Sequence, residues 1–418
     1  MTPGKTRKGK TTAKKTGGKG AAKKAGAKAS AKKGAKGSKL EEKLTLKKTS
    51  SWEGMSAARR KRVFAMADEY RKFLDAARTE REAVVILEKE AKKNGFVPID
   101  KALKAPKGRR GKAGARVYFV NRGKNIALAV MGRRPVEEGI NIVASHVDSP
   151  RLDLKQNPLY EDGETKLALL KTHYYGGIKK YQWVNIPLAI HGRVITASGS
   201  EVDIVIGEDP ADPVFTITDL LPHLYRKKQA RRHLEEGIKG EELNVLVGST
   251  PLEDKGAKKK VKLQVLDHLN KRYGMVEEDF VSAELEVVPA LPSRDVGFDR
   301  AMVAGYGQDD RICAYTSARA AWDVKTPERT ALVLLFDKEE IGSDGTTGVK
   351  SRFLENVIGQ LLELRDPEYR DSKLRQAMQG SKAISADVNA AVNPMFKDVH
   401  EMQNAAKAGM GLVLTKFT

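Results

Sequence analysis

Apolar residues follow two rhythms along this chain. Between Leu40 and Asn94, Trp52, Met55, Phe64, Met66, Tyr70 and Phe73 are separated by charged residues at helical spacing, and Val84, Val85, Leu87 and Ala91 continue the pattern. This predicts two or three helices before the first strand. Val117–Val120 and Ile126–Met131 are short apolar runs joined by Asn-Arg-Gly-Lys, a hairpin signal. Gly139–Ala144 reads as a further buried strand, ending at Ser145-His146-Val147-Asp148-Ser149-Pro150. Ala331–Phe336 is an unbroken Val/Leu/Phe-rich run that stops at Asp-Lys-Glu-Glu-Ile-Gly-Ser-Asp-Gly. Such a run predicts a strand of a parallel sheet, with the acidic cluster at its carboxyl end. A helix over Ile312–Trp322 precedes it, a helix near Val349–Leu364 follows, and Ala383–Ala386 leads into Asp387.

The stretch from Leu152 to about Pro292 has a different texture. Strand-like pieces at Leu167–Thr172, Ile186–Ile195, Val202–Ile206, Asn244–Val247 and Ser282–Val288 are broken by turns and by two charged insertions, Arg226–Lys239 and Glu253–Lys262. A β-rich domain inserted into an α/β domain is the economical layout. Inside it, Thr172 to Trp183 is dense in polar and aromatic groups, as suits a loop that packs at an interface or one that reaches an active site.

Charge changes the picture only at the amino terminus. Residues 1–48 hold 17 Lys/Arg against 2 Glu, so +15 of the net charge of +22 sits there. Up to about Ser38 the segment is almost only Lys, Gly, Ala, Thr and Ser; it cannot repay the entropy of folding and is expected to be disordered. Its lysines suit nonspecific contact with nucleic acid through counterion release, with no base reader among them. The single cysteine, Cys313, excludes an intrachain disulfide and fits a reducing compartment. No apolar run reaches membrane-spanning length and no signal-peptide core opens the chain, so the cytoplasm is the expected location.

Four clusters carry candidate chemistry: His146/Asp148, Asp309/Asp310, Glu339/Glu340 and Asp387. Period-two alternation puts His146 and Asp148 on one face, so that Asp148 can orient the imidazole toward a metal. Glu339 and Glu340 are adjacent, and on an extended backbone their side chains point in opposite directions; one can hold a metal while the other handles a proton. The Asp309/Asp310 pair opens a helix, where capping alone would explain it. All four clusters fall at predicted strand or loop ends, which argues for a shared site. One histidine with several carboxylates suits zinc or manganese, and a bridging carboxylate suits a two-metal hydrolase.

His146-Val-Asp-Ser-Pro, the Tyr-Tyr-Gly-Gly-Ile segment, Gln308-Asp-Asp-Arg, Asp337-Lys-Glu-Glu-Ile-Gly-Ser and Ser385-Ala-Asp-Val, in this order, resemble the aspartyl aminopeptidase (aminopeptidase I) family of di-zinc metallopeptidases. The resemblance runs from about Trp52 to Thr418. It implies an α/β fold: a phosphorylase/hydrolase-like mixed-sheet catalytic domain in residues 49–151 and 293–418, interrupted by a β-rich dimerisation domain in residues 152–292, behind a tail of residues 1–48. It also implies a homo-oligomer, a dodecamer built from dimers, acting on peptide substrates. Carried over by position, His146 and Asp387 would ligate one zinc, Asp309 would bridge, and Glu340 would ligate a second zinc. Asp148 would orient His146 and Glu339 would be the general base. Cobalt or manganese could replace zinc, and the N-terminal residue of peptides is the expected leaving residue, with acidic residues the candidate preference and no strict requirement for them.

Two departures accompany the resemblance. The family takes a last histidine, for the zinc shared by Asp309 and Glu340, from a segment past the position matching Lys416, whereas this sequence ends at Thr418 and its one histidine after Asp387, His400, matches another position. A second zinc site short of one ligand, in a catalytic domain without its closing part, is therefore expected. The other departure is the loop Ile178 to Trp183, which lacks a histidine that in many relatives reaches a neighbouring subunit's site; Lys179 or Lys180 is the candidate cation for an acidic side chain or the oxyanion. A competing expectation is a catalytically impaired scaffold that associates with nucleic acid through the tail.

Overall fold

The structure is a computed structural model that describes residues 38–46, 48–106, 110–366 and 368–416. Its described residues form two compact units that divide between Ser50 and Ser51. The described part of the first holds one short helix, α1 (Lys39–Leu44), capped by the Ser38 hydroxyl. The expectations for the basic tail fall mostly on residues 1–37, outside the described residues.

The second unit begins with α2 (Ala57–Ala76) and α3 (Glu80–Lys93), as the helical spacing predicts, followed by β1 (Val97–Pro98), α4 (Ile99–Leu103), β2 (Arg116–Asn121), β3 (Asn125–Val130) and β4 (Asn141–His146). Next come β5 (Arg151–Glu161), β6 (Ala168–Tyr175), β7 (Leu188–Ile195), β8 (Glu201–Ile206), α5 (Pro222–Lys228), β9 (Val245–Gly248), α6 (Lys260–Tyr273) and β10 (Glu284–Pro289). The chain closes with β11 (Arg294–Val296), β12 (Met302–Ala304), α7 (Gln308–Asp323), β13 (Ala331–Phe336), α8 (Phe353–Arg365), α9 (Asp371–Gly380) and β14 (Lys382–Ser385).

Two six-stranded sheets result, ordered β1-β2-β3-β13-β4-β14 and β8-β7-β10-β5-β6-β9. Every strand of the second sheet lies in sequence between β4 and β13 of the first. In the first sheet, β13 runs parallel to β4 and antiparallel to β3, so the sheet is mixed. Alternation sorts its side chains onto two faces. Ile126, Leu128 and Val333 pack with Leu74, Val84 and Leu87 of α2 and α3 and Ala314 of α7. Ala127, Ala129, Leu332 and Leu334 pack with Ile358 and Leu361 of α8 and Ala377 of α9. Helices cover both faces, which is why β3 and β13 read as unbroken apolar runs. Around the second sheet the charged insertion near Glu253 feeds into α6, a helix where strands alone are expected; its Val261 and Val265 join the core formed by Leu152, Ile190, Val245 and Val287. Among the described residues no helix is long and apolar enough to cross a membrane.

The start of α3 ties the two sheets together. Thr79 and Glu82 form a reciprocal capping box, satisfying helix N–H groups that would otherwise be orphaned. The second oxygen of Glu82 lies 2.8 Å from Nδ1 of His191 on β7, whose Nε2 is 3.4 Å from Glu208. Burial opposes charging this imidazole, but the hydrogen bonds to Glu208 and Glu82 outweigh it and raise its pKa above 6.5. A raised folded-state pKa contributes stability that is full below the unfolded value and fades as pH rises through the folded one. His191→Gln should therefore lower stability by about 1–3 kcal/mol below pH 6.5, with the gap to wild type narrowing at alkaline pH. Urea unfolding at a series of pH values checks this, and a gap that widens with pH contradicts it.

Candidate metal centre

Strand register brings three chain segments to one edge of the first sheet. Phe336 of β13 lies opposite His146 of β4, and Ser385 of β14 lies opposite Ala144. These strands are parallel, so the residues following each emerge together at the carboxyl edge, where open α/β sheets bind ligands. The residues that open α7 come to the same edge and supply Asp309.

His146, 3% exposed, sits between two sets of acceptors. Its Nδ1 lies 3.1 Å from the carbonyl oxygen of Asp148 and 3.2 Å from the Oδ1 of the same residue. Both are acceptors, so Nδ1 carries the proton. Its Nε2 lies 3.2 Å from Asp309 Oδ1 and 3.8 Å from both Glu339 Oε2 and Asp387 Oδ1, yet it is buried without a hydrogen bond. Burial opposes an imidazolium here, but the carboxylates of Asp148 and Asp309 facing the ring outweigh it and raise the pKa to about 11. Acids gathered around Nε2 in this way would also attract a divalent cation to it.

Asp148, fully buried, is bound from three sides. Beyond His146, its Oδ1 accepts the N–H of Glu339 at 3.2 Å, and its Oδ2 accepts the N–H of Glu340 at 3.1 Å and the Tyr175 hydroxyl at 2.8 Å. Burial pushes the Asp148 carboxyl up, but its hydrogen bond with His146 and these donors hold it below the ordinary carboxylate range.

The two glutamates do not lie on an extended backbone. Lys338 takes a left-handed conformation, φ +68°, and Glu339–Ile341 form a 3-10 turn, so both carboxylates curl toward His146 instead of diverging. The structure thus gathers His146, Asp309 and Asp387 in one potential ligand group and His146, Glu339 and Glu340 in another, with donor atoms in each within 4.8 Å of one another. Burial and the neighbouring Asp309 raise the Glu340 pKa to about 7. The donor set and the orphaned Nε2 fit a zinc-type cation.

Asp309 and Asp310 have separate uses. Neither has helical backbone angles. Asp309 faces His146, while buried Asp310 accepts the N–H of Cys313 at 3.4 Å and so caps the helix proper. Burial lifts the Asp310 pKa to about 7. Three further residues escape a reading of the sequence. Asp337, buried, accepts the Thr347 hydroxyl at 2.6 Å and shapes the turn. Tyr175 bonds Asp148, and Gly176 touches Glu340: a Cβ at Gly176 would lie 3.1 Å from both the Cβ and Oε2 of Glu340. The aromatic-polar segment therefore reaches the site. Beyond it, Lys179 is exposed, and the Lys180 ammonium lies 5.0 Å from the Tyr174 ring centroid.

The aminopeptidase I zinc metalloprotease (M18) family matches residues 73–418. A probable M18 family aminopeptidase 1 of Clostridium acetobutylicum is 48% identical over 369 residues, which span 88% of this chain and 78% of the relative. The crystal structure of an M18 aminopeptidase from Thermotoga maritima superposes with a TM-score of 0.81 at 44% identity, over 88% of this chain and 78% of that one. The S. cerevisiae mApe1 dodecamer shares the fold, with a TM-score of 0.64 at 22% identity over 83% of this chain and 76% of that one.

The role of Asp148 can be tested by a near-isosteric change. In one orientation, the amide of Asp148→Asn turns its NH2 against the His146 Nδ1–H and the Glu339 N–H, and in the other against the Glu340 N–H, with the Tyr175 hydroxyl forced to turn and accept. The substitution should lower stability by about 2–4 kcal/mol, read from urea unfolding of the metal-free protein; an unchanged midpoint would contradict these contacts.

Proposed function

Because this chain belongs to the aminopeptidase I (M18) family of zinc metalloproteases, we propose that it hydrolyses the first peptide bond of peptides at the His146 site. The observation that carries this reading is the convergence of Asp309, Glu339 and Asp387 on the orphaned Nε2 of buried His146. In it, His146, Asp309 and Asp387 would hold one zinc, and Asp309 with Glu340 would hold a second. Bound zinc supplies the Lewis acidity that polarises a scissile carbonyl and eases deprotonation of water. Asp148 keeps the proton on Nδ1 and so aims the other nitrogen. Glu339, its side chain half exposed, is free to take the proton of the attacking water and deliver it to the departing amine.

The proposal extends to substrate and assembly. Lys179 and Lys180 follow the segment that touches Glu340, which favours peptides with an acidic first residue. The first sheet corresponds to a phosphorylase/hydrolase-like catalytic domain, residues 49–151 and 293–418, and the second, residues 152–292, to a dimerisation domain from which a dodecamer is built, a reading supported by the fold shared with the yeast dodecamer. The lone cysteine favours the cytoplasm.

Release of N-terminal residues from short peptides tests this. Glu339→Gln should lower kcat by about 10²–10⁴-fold with zinc content unchanged; full activity in the variant refutes the assignment of the base. Peptides beginning with Asp or Glu should be cleaved faster than those beginning with Ala or Leu, and Lys179→Ala with Lys180→Ala should narrow that ratio. Equal rates in the wild type refute the acidic preference alone.

A further inference from the structure

The second sheet reaches the metal centre through the end of one strand. Tyr175, the last residue of β6, is 7% exposed, and its hydroxyl donates to Asp148 Oδ2 at 2.8 Å. It pairs across the ladder with Arg151, whose guanidinium carbon lies 3.9 Å from the Tyr175 ring centroid. Arg151 is held in turn by buried charge: its Nη1 is 3.2 Å from Glu80 Oε2, and its Nε is 2.8 Å from Asp153 and 3.1 Å from Glu286. A guanidinium anchored by Glu80, Asp153 and Glu286 holds the ring it covers in place as well. The next residue, Gly176, has φ +72° and approaches Glu340 so closely that a Cβ would sit 3.1 Å from its Cβ and Oε2. Tyr175 and Gly176 thus touch both the acid that orients His146 and a carboxylate beside it.

We propose that Tyr175 is a positioning residue of the metal centre, acting through Asp148 on His146 and on the Glu339–Glu340 backbone. The inference rests on the metal reading of His146. A carboxylate whose Oδ2 keeps only the 3.1 Å Glu340 amide can tilt about its Cβ–Cγ bond at the cost of that one long bond. The Tyr175 hydroxyl approaches from a different element and removes that freedom, fixing the plane in which Oδ1 receives Nδ1–H. Loss of the hydroxyl leaves Oδ2 with the Glu340 amide alone and loosens the imidazole and the turn together. The acidic residues around Arg151 belong to α3, β5 and β10, so the second sheet takes part in setting the site's geometry.

Tyr175→Phe keeps the ring under Arg151 and removes one bond. Zinc affinity, read by competition with a chromogenic chelator, should weaken by about 10-fold or more, and kcat should fall by about 10–100-fold with KM unchanged. In the metal-free protein, amide exchange should quicken in residues 337–342 and 146–150 while β7 and β8 keep their protection. Unchanged zinc affinity and exchange in a variant of a zinc-binding wild type overturns the proposal and leaves the peptidase reading standing. Exchange that quickens uniformly across both sheets makes Tyr175 merely structural and also overturns it. A wild type that binds zinc but releases no amino acid refutes the peptidase reading, while affinity and exchange still decide the role of Tyr175. A wild type that binds no zinc refutes the metal reading and this inference with it.

Discussion

The geometry of the centre depends on one buried carboxylate that satisfies four donors at once. Asp148 accepts from the His146 imidazole, from the amides of Glu339 and Glu340 and from the Tyr175 hydroxyl. A buried, ionised side chain is tolerable only when each lone pair is used, and here the donors come from three separate segments. Satisfying the charge therefore obliges the end of β4, the turn after β13 and the end of β6 to meet. The same bonds that stabilise the ion place Nε2 of His146 and the two glutamates.

The frame makes this meeting cheap in conformational terms. Parallel pairing of β4 with β13 and β14 delivers three loops to one edge without long detours, and helices on both faces keep the edge rigid. The second sheet is attached to this frame by buried ions. Glu80 of α3 binds Arg151 of β5 and Lys124 of the β2–β3 turn, the latter at 2.9 Å. Opposite charges outweigh the burial of Glu80 and keep it ionised, whereas Glu286, next to the same arginine, is pushed well up by its burial and by the charge of neighbouring Glu80. One carboxylate balances the cations and the other is held toward its neutral form.

Much of this was legible in the sequence, because strand identity and strand ends follow from runs of apolar residues. Ala331–Phe336 reads as a doubly buried strand since helices cover both of its faces, and the His-x-Asp alternation places His146 and Asp148 on one face, where the structure has them in contact. The direction of Glu339 and Glu340 was not legible: it depends on the left-handed Lys338, a residue with no local preference for that conformation. Asp309 and Asp310 look equivalent in the sequence, and only the backbone before α7 separates a site-facing acid from a helix cap. Tyr175 is one aromatic residue among several, and its role arises from a tertiary contact with Asp148, 27 residues away. Helix α6 starts inside the charged insertion, and its Val261, Val265, Leu266, Leu269 and Tyr273 recur at helical spacing, a signal in the sequence that a strand-based reading of this region misses.

Central to the account is that His146 presents Nε2 to a metal while Asp148 holds Nδ1. Diffraction at the zinc absorption edge from crystals grown with zinc tests it most directly. The account predicts an anomalous peak about 2.0–2.1 Å from His146 Nε2, flanked by carboxylate oxygens of Asp309 and Asp387, with the Nδ1 contact to Asp148 retained. A peak bound through Nδ1, or a zinc held by carboxylates with His146 turned away, would contradict it.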